Sequence, residues 1–390
     1  MNRILQIILF FSVLFLGNAC KEPYDPPAIV ETKSYLVVEG FINISGETKI
    51  SLSRSTNLKD TSKIVPERRA SVLIENEQNA RFMLPESSPG KYTLTASGLT
   101  AGAKYRLRIK TTSSEYLSDF VDALQTPEID SLNFKIRNNG VQFYSNTHDN
   151  SNKIKYYRLD FDETWRYTSL YDSSVEYINS SLEPRTPSKS IFFCWKTNFS
   201  NEIILASSNN LASDVIVDNP VSYVSAESGK LSLGYSILVK QYALNKEGFE
   251  YWQTLKKNTE QLGSIFDPQP SLASGNIKCL TNPKEPVIGY LSASSITSKR
   301  LFFDNKNLPL NSPTYVGPPS VDACEIKEIY VQPIASFANR AALLFSSGDM
   351  IPTEPISVPG QGIIFYKYAS KGCVDCRLKG GTTIKPAFWP

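Results

Sequence analysis

The chain has a single histidine, His148, among 390 residues. That excludes a metal site built from several histidines and leaves one candidate for any histidine-based triad. Concentrated positive charge is also missing. Lys and Arg total 41 against 38 Asp and Glu, a net charge of +3, and no basic cluster is larger than a pair such as Arg68-Arg69. Nucleic acid is therefore not the expected partner, because phosphate contact needs clustered cations. The sequence contains no Gly-rich phosphate loop, no Gly-x-Ser-x-Gly and no zinc-protease motif. It also has no unbroken apolar run of the roughly 20 residues that a membrane-crossing helix requires. What remains is a chain of 41% apolar residues, long enough for two or three domains.

The longest apolar stretch, Ile4 to Leu16, follows Arg3 and is interrupted only by Gln6 and Ser12. Its length and basic flank are those of a signal-peptide core. Next comes Leu16-Gly17-Asn18-Ala19-Cys20, which resembles a bacterial lipobox, with small residues ahead of a cysteine that takes acyl chains. Several buried chains anchor a protein firmly, whereas one binds only marginally. Residues 1–19 are thus expected to be a lipoprotein signal peptide, with Cys20 as the lipid attachment site. Residues 20–33 are expected to be a proline-stiffened tether, through Pro23, Pro26 and Pro27. The competing role for the apolar stretch is an uncleaved N-terminal anchor.

Beyond the tether, the pattern is that of strands. Tyr35–Ile42 is β-branched and aromatic, and Thr48–Arg54 and Lys104–Lys110 alternate with period two. Turn signals such as Ser88-Pro89-Gly90 recur every ten to fifteen residues or so. Residues 34–126 are expected to form an immunoglobulin-like or transthyretin-like β-sandwich. The basic residues of 104–110 would lie on its solvent face. A boundary falls near Gln125–Asp130. Residues 127–390 are expected to form a larger β-rich domain with one helical insertion, so the fold class is mainly β. The helix would run from Asn245, a suitable N-cap, to Leu262, stop at Gly263, and dock through Phe249 and Trp252. A partner-docking role for it is the alternative.

With Cys20 assigned to lipid, Cys194, Cys279, Cys324, Cys373 and Cys376 remain as disulfide candidates. Pairing is permitted in an exported protein, and the odd number leaves at least one thiol free or paired between chains. For Cys373-Val374-Asp375-Cys376, three roles are open: structural half-cystines, a redox pair, or half a zinc site. No helical pattern follows to lower a thiol pKa, and no second pair exists to complete zinc, so the structural role is favoured. Cys324, the nearest preceding cysteine, would close a loop of about 50 residues that is worth roughly 4 kcal/mol. This staple would hold Phe388 and Trp389 near a core. A small Cys373–Cys376 ring is the competing arrangement.

Two further sets of residues could carry chemistry. His148 lies in a polar segment, 145–152, and is expected to be a solvated turn residue rather than a base. Asp160, Asp162 and Glu163 could imitate a carboxylate pair, but an exposed acidic face is the default, since a glycosidase needs acids opposed across a cleft. No catalytic residue, metal site or cofactor is expected.

Several segments together resemble a known family. They are Leu36-Val37-Val38-Glu39-Gly40, Leu238–Leu244 leading into Tyr251-Trp252, Gly275–Cys279, Gly289-Tyr290, Cys373–Arg377 and Lys385–Trp389. They look like the Bacteroidota lipoproteins grouped as domain of unknown function 4249, and the last cluster is the most specific. The resemblance implies a surface-exposed, lipid-anchored outer-membrane protein working beside a TonB-dependent receptor barrel. It brings no catalytic residues. The functional expectation is non-enzymatic binding of a ligand or partner. An adhesin or envelope assembly subunit is the alternative, followed by a surface hydrolase.

Overall fold

The computed structural model describes residues 34–56, 64–95, 98–137, 139–260, 273, 275–304, 306 and 324–390. Cys20, the signal segment, the whole of the tether at 20–33 and the helix end at Leu262-Gly263 lie outside them. The protein is mainly β, in several sheets with a sandwich-like arrangement, as the alternating patterns predict.

The first unit shows why alternation specifies it. In strand Thr48–Arg54, Ile50 and Leu52 are buried while Lys49 faces solvent. The preceding strand, Leu36–Asn43, pairs antiparallel with it. The turn between them is closed by Asn43, whose backbone N–H donates to Thr48 Oγ1 at 2.9 Å. Twelve strands form this sheet system, and they enclose a core that includes Leu36, Ile74, Leu107 and Tyr116.

Two of the twelve strands come from much later in the chain. Ile277–Cys279 pairs with Glu115–Ser118. Ala293–Ser294 lies parallel to both Leu36–Asn43 and Val121–Leu124 and bridges them. Gly289 makes this return possible. Its φ is +137°, and a Cβ there would stand 2.2 Å from the Val38 carbonyl oxygen, so only glycine lets the returning backbone lie so close.

The basic residues of Lys104–Lys110 do more than face solvent. Arg106 and Arg108 both bond the carboxylate of Glu75, which is 3% exposed. The reason is cross-strand register: Glu75 sits opposite Arg106 on the paired strand.

The second unit packs the sheet of Ile129–Arg137, Gly140–His148 and Val215–Ser225 against a five-stranded sheet centred on Tyr156–Thr168 and Tyr235–Leu244. Phe143 stacks on Tyr235 with ring centroids 5.2 Å apart, and Phe303 closes the cluster edge-on. A third, smaller assembly combines the sheet Lys327–Tyr330, Gly362–Ser370 and Met350–Val358 with the hairpin Val175–Ile178 and Ser181–Pro184.

Among the described residues, two helices of more than ten residues stand beside these sheets. The first, α1 (Lys246–Glu260), starts where the sequence indicates: Asn245 Oδ1 accepts from the Gly248 N–H at 2.9 Å. Its docking face differs from expectation. Gly248 and Tyr251 are its buried residues, while Phe249 and Trp252 are half-buried. Gly248 determines this, because a Cβ there would lie 3.0 Å from the Tyr290 ring. The helix therefore approaches most closely along the Gly248–Tyr251 line, and the flanking aromatics stay at its edges. The second helix, α2 (Ile334–Phe345), was not marked out by the sequence. It buries Ala341 and Phe345 against the small sheet.

Candidate binding cleft

α1 separates the two recesses described next. The larger, about 610 Å³, lies between the helix, the Asp119–Val121 turn of the first unit and the returning segment. Its floor is aromatic. Tyr251 stacks on Tyr290 with centroids 5.3 Å apart and planes 29° apart. Tyr290 is held by its hydroxyl, which donates to Asn245 Oδ1 at 3.1 Å, so the residue that caps α1 also orients the floor. Burial raises the pKa of the Tyr290 phenol, and Glu247 and Asp119 add to the shift from opposite walls.

The walls carry Asp119, Glu247 and Glu250. Asn276 also lines the cleft, but its amide is committed: it accepts from the Leu291 N–H at 2.8 Å and donates to the Leu291 carbonyl at 2.9 Å. It sets the returning segment's path, and the acids are the charged groups on the walls, Asp119 paired with Lys278 at 3.1 Å and Glu250 with Lys246 at 3.7 Å.

The smaller recess, about 360 Å³, lies by Trp252. Arg158 is sandwiched there between the Tyr242 and Trp252 rings, 4.7 and 4.5 Å from their centroids. The acids weighed as a catalytic pair are spent nearby on cations. Asp160 accepts from Arg158 at 3.1 Å and Asp162 from Lys240 at 2.6 Å. Glu163 points to the opposite face, buried, where it accepts from Lys230 and from the Tyr235 hydroxyl at 3.0 Å. Period two separates it from its neighbours. His148 ends a strand rather than occupying a turn. Its Nδ1 lies 2.7 Å from Asp130, and that carboxylate raises the imidazole pKa.

The five cysteines among the described residues separate into two bonds and one free thiol. Cys324 joins Cys373, as the staple requires, and Cys194 joins Cys376. The Cys-x-x-Cys segment therefore forms neither its own ring nor a dithiol. A helical turn over Lys371–Val374 gives way to a 3₁₀ turn over Cys376–Lys379. This directs Cys373 toward Ile191 and Ala369, and Cys376 toward Tyr167 and Cys194. Asp375, between them, is 2% exposed. Burial would raise its pKa, but hydrogen bonds from Arg377 hold it below the usual range.

Cys279, also a disulfide candidate, is the free thiol. It lies in the first unit's core, where the Asn282 N–H donates to its sulfur at 3.3 Å, and no other described cysteine belongs to that core. Beyond the staple, Trp389 packs edge-on against Trp195 and Phe302, and Phe388 sits under the Arg300 guanidinium.

The cleft residues were not assembled by sequence reasoning, although a signal for them existed. Tyr251, Gly275-Asn276 and Gly289-Tyr290 all belong to the segments that carry the family resemblance, and they meet at this one place.

Fold and recess together define a β-sandwich protein with a polar, open cleft at the junction of two units. The chain belongs to the family described as domain of unknown function DUF4249, whose model matches residues 21–300. Comparison with curated proteins returns no match. Among solved structures it is similar to the crystal structure of chicken CNTN1 FN1-FN3 domains, at 9% identity and a TM-score of 0.18. That match covers 56% of this chain and spans 65% of the other, and a TM-score so low carries no argument.

Proposed function

We propose that this is a lipid-anchored protein of the outer-membrane surface that binds a ligand or partner without transforming it, in the cleft beside α1. Its setting would be next to a TonB-dependent transporter, with Cys20 carrying the acyl chains. The observation that carries the binding role is the 610 Å³ cleft itself, within the size range of small-molecule sites and assembled from three separated stretches of chain. The apolar stretch ending at Ala19-Cys20 supports the anchor. The two disulfides support export, since such bonds persist in oxidising compartments.

Two experiments test the proposal. Cys20→Ala should leave the protein unacylated and move it out of the membrane fraction. A wild-type protein without lipid would contradict the anchor. Cross-linking in intact cells, followed by purification and mass spectrometry, should recover a transporter barrel with the wild type. Recovery of only copies of this chain would favour the adhesin or assembly role instead.

A further inference from the structure

We propose that the smaller recess, by Trp252, takes an uncharged sugar, packed against exposed aromatic surface and hydrogen-bonded along the strand Tyr156–Thr168. This goes beyond the role given to the larger cleft and does not depend on it.

The charge of the recess comes first. Arg158, Asp160 and Asp162 lie at alternate positions of one strand, so they share a sheet face at steps of about 7 Å. Lys240 stands directly opposite Asp160 on the paired strand. Both cations already have an acid: Arg158 donates to Asp160 at 3.1 Å, and Lys240 donates to Asp162 at 2.6 Å. A charged ligand has to displace one of these partners. A hydroxyl does not, because it donates and accepts at once. Each of the two bonds engages only the Oδ2 oxygen of its acid, so acceptor capacity remains beside the pairs. Glu202, the other charged lining residue, is exposed, and its field is screened by salt.

A second observation is a donor without an acceptor. The Arg158 guanidinium is fixed between the Tyr242 and Trp252 rings, and its Nε is buried with no hydrogen-bond partner among the described residues. Native structures seldom leave a buried donor in that state. Rings occupy both faces of the guanidinium, so an acceptor meets it only along its edge, and Arg158 lines the recess.

The third observation is apolar. Phe199 lines the same recess, opposite Asp162 in register, and is 74% exposed. Trp252, half-buried, lines it too. Ring surface left in water gains from being covered. A pyranose ring brings hydroxyls at its rim for the paired charges and a C–H face for the aromatic surface. The volume, about 360 Å³, is within the range of small-molecule sites. An uncharged peptide matches the donors and acceptors but presents no such flat C–H face.

Isothermal titration of the full, oxidised chain with maltotriose, cellotriose and mannotriose tests the assignment. Acetylated, amidated triglycine is the uncharged peptide control, and citrate and spermidine are the charged ones. We expect saturable 1:1 binding of at least one trisaccharide, with the same affinity at low and high salt. Phe199→Ala should weaken it roughly tenfold, the effect of losing one covered ring face. Phe199 is exposed, so this variant's melting temperature should match the wild type. Arg158→Lys keeps the charge but loses the Nε–H and the planar fork, and should also weaken binding roughly tenfold. If that variant melts early, Phe199→Ala alone decides. Failure of all three sugars to saturate would overturn the proposal, as would unchanged affinity in Phe199→Ala. Binding of the peptide or of a charged control in place of the sugars would overturn the ligand class.

Discussion

The first unit and the C-terminal assembly are held together in different ways. In the first, buried residues from Leu36 to Ala293 form one continuous apolar cluster, and its cysteine, Cys279, is unpaired. In the C-terminal assembly the apolar groups divide into small separate clusters, around Phe345 and Tyr368, around Val374, and around Tyr167. Both disulfides fall in the last two of these. A small cluster excludes little apolar surface from water and cannot offset the entropy of ordering its own chain. Cross-links shift that balance by restricting the unfolded state. Crosslinking is thus concentrated where burial is fragmented, and the continuous core stands without it.

Removing the longer cross-link should have the largest effect. The Cys194–Cys376 bond spans 182 residues and is worth about 5 kcal/mol in the chain-entropy picture, somewhat less while Cys324–Cys373 persists inside the same loop. The Cys194→Ala/Cys376→Ala double variant should lose a C-terminal denaturation transition before the first unit melts. Leu107→Ala tests the other side. It should cost about 2–5 kcal/mol as a truncation in a dense core, with the same value in the presence and absence of reductant. Reductant sensitivity of that cost would erase the contrast.

Glu75→Gln should cost about 1–3 kcal/mol, because Arg106 and Arg108 lose their charged acceptor. Burial raises the Glu75 pKa, but the hydrogen bonds from Arg108 and Arg106 outweigh it and the net shift is downward. A depressed folded-state pKa adds stability that is fully present above the unfolded value, about 4.3, and is lost as pH falls through the folded value. Urea midpoints measured from pH 6 to pH 2 should show the first unit losing this contribution in the wild type but not in Glu75→Gln.

The smallest effect belongs to Trp252→Ala, at about 1–2 kcal/mol, since the ring is half-buried and retains contact with Arg158. A loss above that range would mean that α1 is held by its edge as much as by Gly248 and Tyr251.

The strands were legible because period-two burial leaves a direct trace, as in Ile50 and Leu52 against Lys49. Their ends are less so: the strand Phe193–Phe199 begins only beyond the 3₁₀ turn at Pro187–Lys189, and no change in the apolar pattern marks its start. α1 was legible through Asn245 and its aromatic spacing. Its docking line was not, because the deciding residue, Gly248, has no side chain to enter a hydrophobic pattern. α2 escaped notice because it is short, and apolar residues such as Leu343 stay exposed on it, which blurs the stripe. The cysteine staple could be anticipated from Cys324, whereas Cys194 could not, since proximity in sequence says nothing about a partner in another sheet. The cleft was the least legible feature. Its acids stand on a turn and a helix more than a hundred residues apart, and only the return of the chain to the first unit places Tyr290 under Tyr251.

Hydrogen exchange on the oxidised and reduced full chain, resolved by peptide, tests this contrast most directly. The account predicts that reduction leaves protection of the strands within 36–124 unchanged while exchange rises over 324–390 and over the strand at Phe193–Phe199 that carries Cys194. An equal loss of protection in both regions, or no change at 324–390, would contradict it.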